Sequence, residues 1–343
     1  MIKNNTNVPS YYVEGMPGYV LRDWEVIDYE CYELDRTGLW FRGPAPKTLE
    51  PGAYFTAIGA AQTFGCFCPR PYPRMLEDRL GTTALNLGYS GAGPAFFLQQ
   101  PELLRYINQS AFCIVQAMSA RSTGNSLLRN DDGLGYGRRR SDGKIMTAEA
   151  LFSDLLEREL KRIPLRNEWL KKKVVAYSHL PFPAVRKVVQ ESRANWMRDT
   201  KALLEAITVP KIFVWFSKRS PAYVPRYHRT SALFGPFPQM VNANMMRRVT
   251  PHADRYVECV SDRGSPQPLR SRFTGEPVTV DLKTDRKHRA VEMGAEEPLY
   301  TGSWDANAYY PSPEMHEDAA EMLEPVCRAL ISTLRQVRTP TVR

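Results

Sequence analysis

The chain is 343 residues long, 43% hydrophobic and 24% charged, with a formal net charge of +9 at pH 7. That length and apolar content suffice for a large buried core, which excludes a disordered tail or a linker. No stretch approaches the roughly 18 uncharged apolar residues of a membrane span, and MIKNNTNVPSYYVEG has no apolar run behind its early lysine, so a soluble, cytoplasmic protein is expected.

Residues 1–50 read as an N-terminal extension, aromatic and short-strand-like, with turn signals at Gly38 and Gly43-Pro44. From residue 51 the pattern alternates: strand 54–59, helix 72–80, strand 83–88, helix 95–107, strand 111–118, then a glycine- and arginine-rich loop over 119–145. Helices follow at about 147–163 and 183–208, the second carrying Val185, Val189, Trp196, Leu203 and Ile207 at helical spacing. Residues from about 120 to 208 thus read as a helical insertion within a domain spanning 51–343. Strand KIFVWFS (211–217), a loop to 238, a helix near 239–248, strand RYVECV (255–260), an irregular stretch over 261–310 and a terminal helix over 313–336 complete the chain. This alternation predicts an α/β fold of three layers, a mainly parallel sheet with helices on both faces. In such sheets ligands sit beyond the carboxyl ends of the strands, near the switch in strand order. The candidate site is therefore built from GAAQTFG (59–65), GYSGAGP (88–94) and SARSTGN (119–125).

The positive excess concentrates in GYGRRRSDGK (135–144) and LKRIPLRNEWLKKK (160–173), while HEDAAEMLE (316–324) is acidic. Without zinc-finger spacing, an RNP-like aromatic motif or a helix-turn-helix signature, no sequence-specific nucleic-acid partner is expected; the basic stretches read as solvated faces or an anion-facing loop. The cysteines Cys31, Cys66, Cys68, Cys113, Cys259 and Cys327 are scattered as in a reduced protein, and a lone C-x-C predicts no metal site.

Strand-GAAQTFG, PYPRMLEDRLG, ALNLGYSGAG, CIVQAMSARS and YYPSPEMHEDAAEMLEPV, taken together, resemble the GDSL/SGNH hydrolases from about residue 54 to residue 330. FRGP at 41–44 also resembles an uncharacterised set of bacterial proteins with this layout. The resemblance implies an SGNH/flavodoxin-like domain whose blocks read G-D-S-x-T-x-G, a glycine amide, G-x-N-D and D-x-x-H. Gly59, Thr63, Phe64 and Gly65 match the first block, but Ala60 and Ala61 stand where the family has its acid and its nucleophile. Gly91 retains the second-block amide, framed by Asn86 and Gly88, whereas Arg121 and Ser122 replace the third-block Asn and Asp. In the last block Asn307 stands for the Asp and Tyr310 for the His. A serine hydrolase needs a nucleophile, a base within hydrogen-bond reach and a carboxylate to orient it. Esterase activity by the family mechanism is thus not expected.

What remains is a crevice expected to bind its ligand through Gly59, Ala61, Gln62, Thr63, Asn86, Gly91, Ser119, Arg121 and Asn125. Arg121 adds a fixed guanidinium, with Asp131 and Asp132 its nearest neutralising groups in the sequence; Arg42, Arg129 and Arg138–Arg140 add charge if their segments fold over the crevice. Gln62, Tyr310 and His316 are the candidates for catalytic roles, with His228 and Asp305 as further acid-base groups to place. LGTTALNLG contains a Gly-Thr-Thr like the phosphosulfate loop of sulfotransferases, but it leads from a helix into a strand, the reverse of the required order. No Walker A or G-x-G-x-x-G motif replaces it, and no cofactor is required, although an activated donor remains open. The expected ligand is a small molecule or a glycan. The readings are a transferase acting on a glycan or another polyhydroxylated anionic substrate, as in surface-polysaccharide modification; a catalytically silent carbohydrate- or anion-binding accessory protein; and a sulfotransferase holding its donor on other loops.

Overall fold

A computed structural model describes residues 12–13, 16–167, 169–170, 173, 182–284 and 302–338. The first elements are helix α1 (Tyr19–Asp23) and the antiparallel pair β1 (Tyr32–Leu34) and β2 (Leu39–Phe41). The alternating region follows with β3 (Tyr54–Gly59), the single turn α2 (Ala61–Phe64), α3 (Tyr72–Leu80), β4 (Thr83–Gly88), α4 (Pro94–Leu98), α5 (Pro101–Gln109) and β5 (Cys113–Gln116). The single helix expected over 95–107 is two, because Pro101 lacks the amide an uninterrupted helix needs and instead opens α5.

The segment expected as a loop over 119–145 carries a three-stranded antiparallel arm of β6 (Leu128–Arg129), β7 (Tyr136–Arg139) and β8 (Ile145–Thr147). Helices α6 (Ala148–Lys161) and α7 (Pro183–Ala206) then lead to β9 (Lys211–Ser217), α8 (Thr230–Phe234), α9 (Ala243–Val249) and β10 (Arg255–Val260). Helix α9 starts later than the expected 239, where Asn242 caps it by accepting the Met245 amide (3.1 Å). Short pairings of β11 (Gln267–Pro268) with β14 (Ala306–Asn307), and of β12 (Val280–Asp281) with β13 (Ser303–Trp304), punctuate the stretch expected to be irregular. Helix α10 (Pro313–Arg338) comes last. The basic stretch over 160–173 lies partly outside the described residues.

Five strands form one parallel sheet in the order β10-β9-β5-β3-β4. Numbered along the chain, that is the 2-1-3-4-5 order of flavodoxin-like sheets, with its switch between β3 and β5. Alternation along each strand feeds two cores. Tyr54, Ile58, Cys113, Val115, Phe213 and Trp215 face α5, α7 and α9, whereas Phe55, Ala57, Ile114, Ile212 and Val214 face α3 and α10. The three layers expected from the strand-helix alternation follow directly from this division. Among the described residues no helix is long and apolar enough to cross a membrane.

Candidate active-site cleft

The turn leaving β3 is built by close approach. A Cβ on Gly59 would lie 2.3 Å from both Gln116 Oε1 and Thr63 Oγ1, and one on Gly88 would lie 2.1 Å from the Phe64 nitrogen, so only glycine fits at either strand end. Gln116, at the end of β5, accepts the Ala60 amide (3.0 Å) and the Thr63 hydroxyl (2.9 Å) at one oxygen. Asn86 donates to the Thr63 carbonyl (3.0 Å) and accepts the Gly88 amide (3.0 Å). Arg42 closes the turn from behind, donating to the carbonyls of Gly65 (2.7 Å), Cys68 (2.7 Å) and Pro69 (3.0 Å).

Above this turn the carboxyl ends of β3, β4 and β5 open into a cleft of about 1030 Å³. Ala60, Ala61 and Gln62 from the turn after β3, Ser90–Ala95 from the loop after β4, and Ser119 with Arg121–Ser126 from the loop after β5 line it. The third loop is fixed by α7: Trp196 donates to the Met118 carbonyl (2.9 Å), Asn195 to that of Gly124 (2.7 Å), and Asn125 to the Ser192 hydroxyl (3.0 Å). The antiparallel arm adds Arg129 and Arg140 to the rim. Their charges are partly committed, since Arg129 pairs with Asp131 (2.8 Å) and Arg140 donates to the Asn125 carbonyl (2.9 Å).

An aromatic corner also lines the cleft. Tyr309 and Tyr310 meet edge to face at 4.9 Å, and Trp304 lies 6.3 and 5.9 Å from them. Asn307 holds the corner, its Oδ1 accepting the Tyr309 (3.2 Å) and Tyr310 (2.8 Å) amides. Arg22, reaching in from α1, places its guanidinium 5.9 Å from the Tyr310 ring while it bonds Asp23 at 2.6 and 2.8 Å; Asp23 in turn accepts the Tyr29 hydroxyl (2.6 Å).

Of the residues expected at the site, Ala61, Gln62, Gly91, Ser119, Arg121, Asn125 and Tyr310 line the cleft. Gly59, Thr63 and Asn86 do not: their atoms are spent on the turn itself. His316 is also displaced, being fully buried beneath the sheet end, where its Nδ1 accepts the Tyr72 amide (3.2 Å). Burial, aided by the Arg42 guanidinium, pushes its pKa down to about 3, so it stands as a neutral core group rather than a base at the cleft. His228 and Asp305 are likewise outside the lining. Arg42 belongs to the frame, and Arg139 pairs with Asp142 at the tip of the arm. The expected partners of Arg121 are also corrected: its guanidinium pairs with Glu149, on the first turn of α6, and not with Asp131 or Asp132. Helix α6 folds back over the loop after β5, which brings a carboxylate distant in sequence closer than the neighbouring ones.

Arg22, Glu149, Gln239, Trp304 and Tyr309 also line the cleft. The tyrosine pair beside Asn307 was a readable signal for the last of these; nothing local marked the others. Because Ala61 offers no nucleophile and no histidine among the described residues lines the cleft, short-chain nitrophenyl esters should not be turned over there, and Ala61→Ser should not introduce turnover. Esterase activity abolished by Gln62→Ala or Tyr310→Phe would contradict this.

A sequence model of the family described as Domain of unknown function (DUF6473) matches residues 19–135 and 173–292. No curated protein matches the chain. Among solved structures, a structural-genomics protein from Lactobacillus plantarum is 11% identical, with a TM-score of 0.33 over 81% of this chain and 98% of its own. A carbohydrate esterase family 2 enzyme with a carbohydrate-binding domain, from Corynascus thermopiles (Myceliophthora fergusii), is 10% identical, with a TM-score of 0.32 over 85% of this chain and 73% of its own.

Proposed function

We propose that this chain, which belongs to the DUF6473 family, binds a polyhydroxylated, anionic ligand of the acidic-saccharide class in the cleft at the sheet switch. The supporting observation is that one cavity is lined both by the aromatic corner of Trp304, Tyr309 and Tyr310 and by the guanidinium groups of Arg121, Arg129 and Arg140. Aromatic faces accept the apolar face of a sugar ring, guanidinium groups accept carboxylate or phosphate, and the serine and asparagine side chains between them suit hydroxyls.

A thermal-shift screen with uronic acids, sugar phosphates, sugar nucleotides, phosphosulfate donors and acyl-CoA tests the reading. A ligand present at 100 times its Kd should stabilise the chain by about 2.7 kcal/mol. Trp304→Ala should then weaken an acidic saccharide roughly tenfold, on the scale of a central aromatic contact. Stabilisation by none of these compounds, or an unchanged affinity in Trp304→Ala, would remove the proposal. Stabilisation by phosphosulfate alone would favour sulfotransfer instead.

A second reading, group transfer from an activated donor to such a saccharide, is favoured by the Arg121–Glu149 pair. Glu149 puts a carboxylate in the lining of the cleft, one oxygen paired with Arg121 and the other without a hydrogen-bond partner among the described residues, suited to take a proton from a ligand hydroxyl, with Arg121 beside it to stabilise developing charge. On that reading Glu149→Gln keeps binding and loses turnover; surface-polysaccharide modification is the setting it names.

A further inference from the structure

Beside the polar cleft lies a second cavity of about 570 Å³. Phe216, Phe234, Phe237, Pro236, Pro311 and Met315 make it predominantly apolar. Gln62, Glu149, Phe237, Gln239 and Tyr309 line both cavities and so form the neck between them. Three of these neck residues carry a buried oxygen with no hydrogen-bond partner among the described residues: Gln62 Oε1, Gln239 Oε1 and Glu149 Oε2. Their other ends are partly engaged, since Gln239 Nε2 donates to the Tyr309 hydroxyl (2.8 Å) and the second oxygen of Glu149 meets Arg121. Gln62 and Gln239 are only 2% and 5% exposed. Buried acceptors left unpaired are costly, and folded chains seldom keep several together unless something else supplies the donors.

We propose that the ligand is an amphiphile, a sugar acid or related polyol bearing a hydrocarbon substituent. Its head occupies the polar cleft, hydroxyl groups at the junction donate to the three orphaned oxygens, and the hydrocarbon enters the apolar chamber. Neither cavity alone accounts for acceptors gathered where polar walls give way to phenylalanine and proline. The inference rests on the saccharide-binding reading above and narrows it to substituted saccharides.

Methyl, butyl and octyl β-glucuronides, measured by titration calorimetry on the full chain, separate the two claims. Each methylene entering an apolar chamber is worth roughly fourfold in affinity, so the butyl compound should bind at least about tenfold more tightly than the methyl one. Ala308→Trp, at the exposed rim of the chamber, should abolish that gain while leaving methyl glucuronide binding and the melting temperature unchanged. Methyl binding without an alkyl gain, or a gain that survives in folded Ala308→Trp, overturns the amphiphile and leaves the saccharide reading standing. Binding by none of the three overturns both.

Discussion

Replacing Arg42 by methionine should destabilise the fold by about 3 to 5 kcal/mol, measured as the loss of unfolding free energy in urea. Arg42 is buried, and its guanidinium is shared among the carbonyls of Phe64, Gly65, Cys68 and Pro69, at 3.4, 2.7, 2.7 and 3.0 Å. It also lies over the Tyr29 ring at 5.0 Å and the Phe64 ring at 5.7 Å, so it joins the N-terminal segment to the first turn. Methionine replaces much of the apolar stem and none of the donors. The buried carbonyls of Phe64, Gly65 and Cys68 then lose their partner, each at about 1–3 kcal/mol, with partial relaxation reducing the sum. A loss below about 1 kcal/mol would mean that the turn holds its shape without the guanidinium.

Stability should also fall on mild acidification through His316. Its imidazole is buried and neutral, with a pKa pushed down to about 3 from the ordinary 6.5, first by burial and then by Arg42. Above pH 6.5 neither the folded nor the unfolded histidine carries a proton, and this group contributes no pH dependence. Between 6.5 and about 3 the unfolded chain takes up a proton that the folded chain refuses. Stability is therefore lost as pH falls through that window, approaching roughly 1.4 kcal/mol per pH unit. His316→Gln keeps an acceptor for the Tyr72 amide and removes the titration. The difference in unfolding free energy between the two proteins should shrink or reverse from pH 7 to pH 5, before carboxylates dominate; a difference constant over that range would show that His316 titrates alike in the folded and unfolded chains, and a growing one that it is charged in the fold.

The five sheet strands and their helices were legible because each carries a local signal. Alternation or a continuous apolar run marks Tyr54–Gly59 and Lys211–Ser217, and a glycine or proline stands at most boundaries. The antiparallel arm escaped detection because two-residue β6 is too short to show a period, and its glycines read as a loop. The cleft was legible in outline, since strand-end loops after β3, β4 and β5 must converge in this topology. Its chemistry was not. Position in a motif block does not say where a side chain points: Thr63 and Asn86 sit in matching blocks, yet both turn inward to brace the elbow. Arg22, Glu149 and Trp304 reach the cleft from separate parts of the chain, through packing that no local pattern encodes. The same packing explains the partner of Arg121, where spatial proximity of α6 outweighs the sequence proximity of Asp131.

Tyr310 and Trp304 of the aromatic corner belong to a cluster in which Met16, Tyr19, Val20 and Tyr29 pack with Phe64 and Phe67 from the first turn and with Leu269 and Val280 from late in the chain, and Arg22 lies over the Phe67 and Tyr310 rings. Glu25 and Ser271, bonded at 2.5 Å, close a separation of 246 residues at its edge. On a ribosome the earliest of these residues emerge long before the latest, and the apolar side of α1 has nothing complete to cover it until residues near 310 have been synthesised. The parallel sheet can pair strand by strand during that interval, but the wall carrying Trp304 and Tyr310 is the last to arrive. The cleft is thereby completed only after these late residues, and nascent chains stalled after β10 would expose the α1 face to chaperones while already holding a paired sheet.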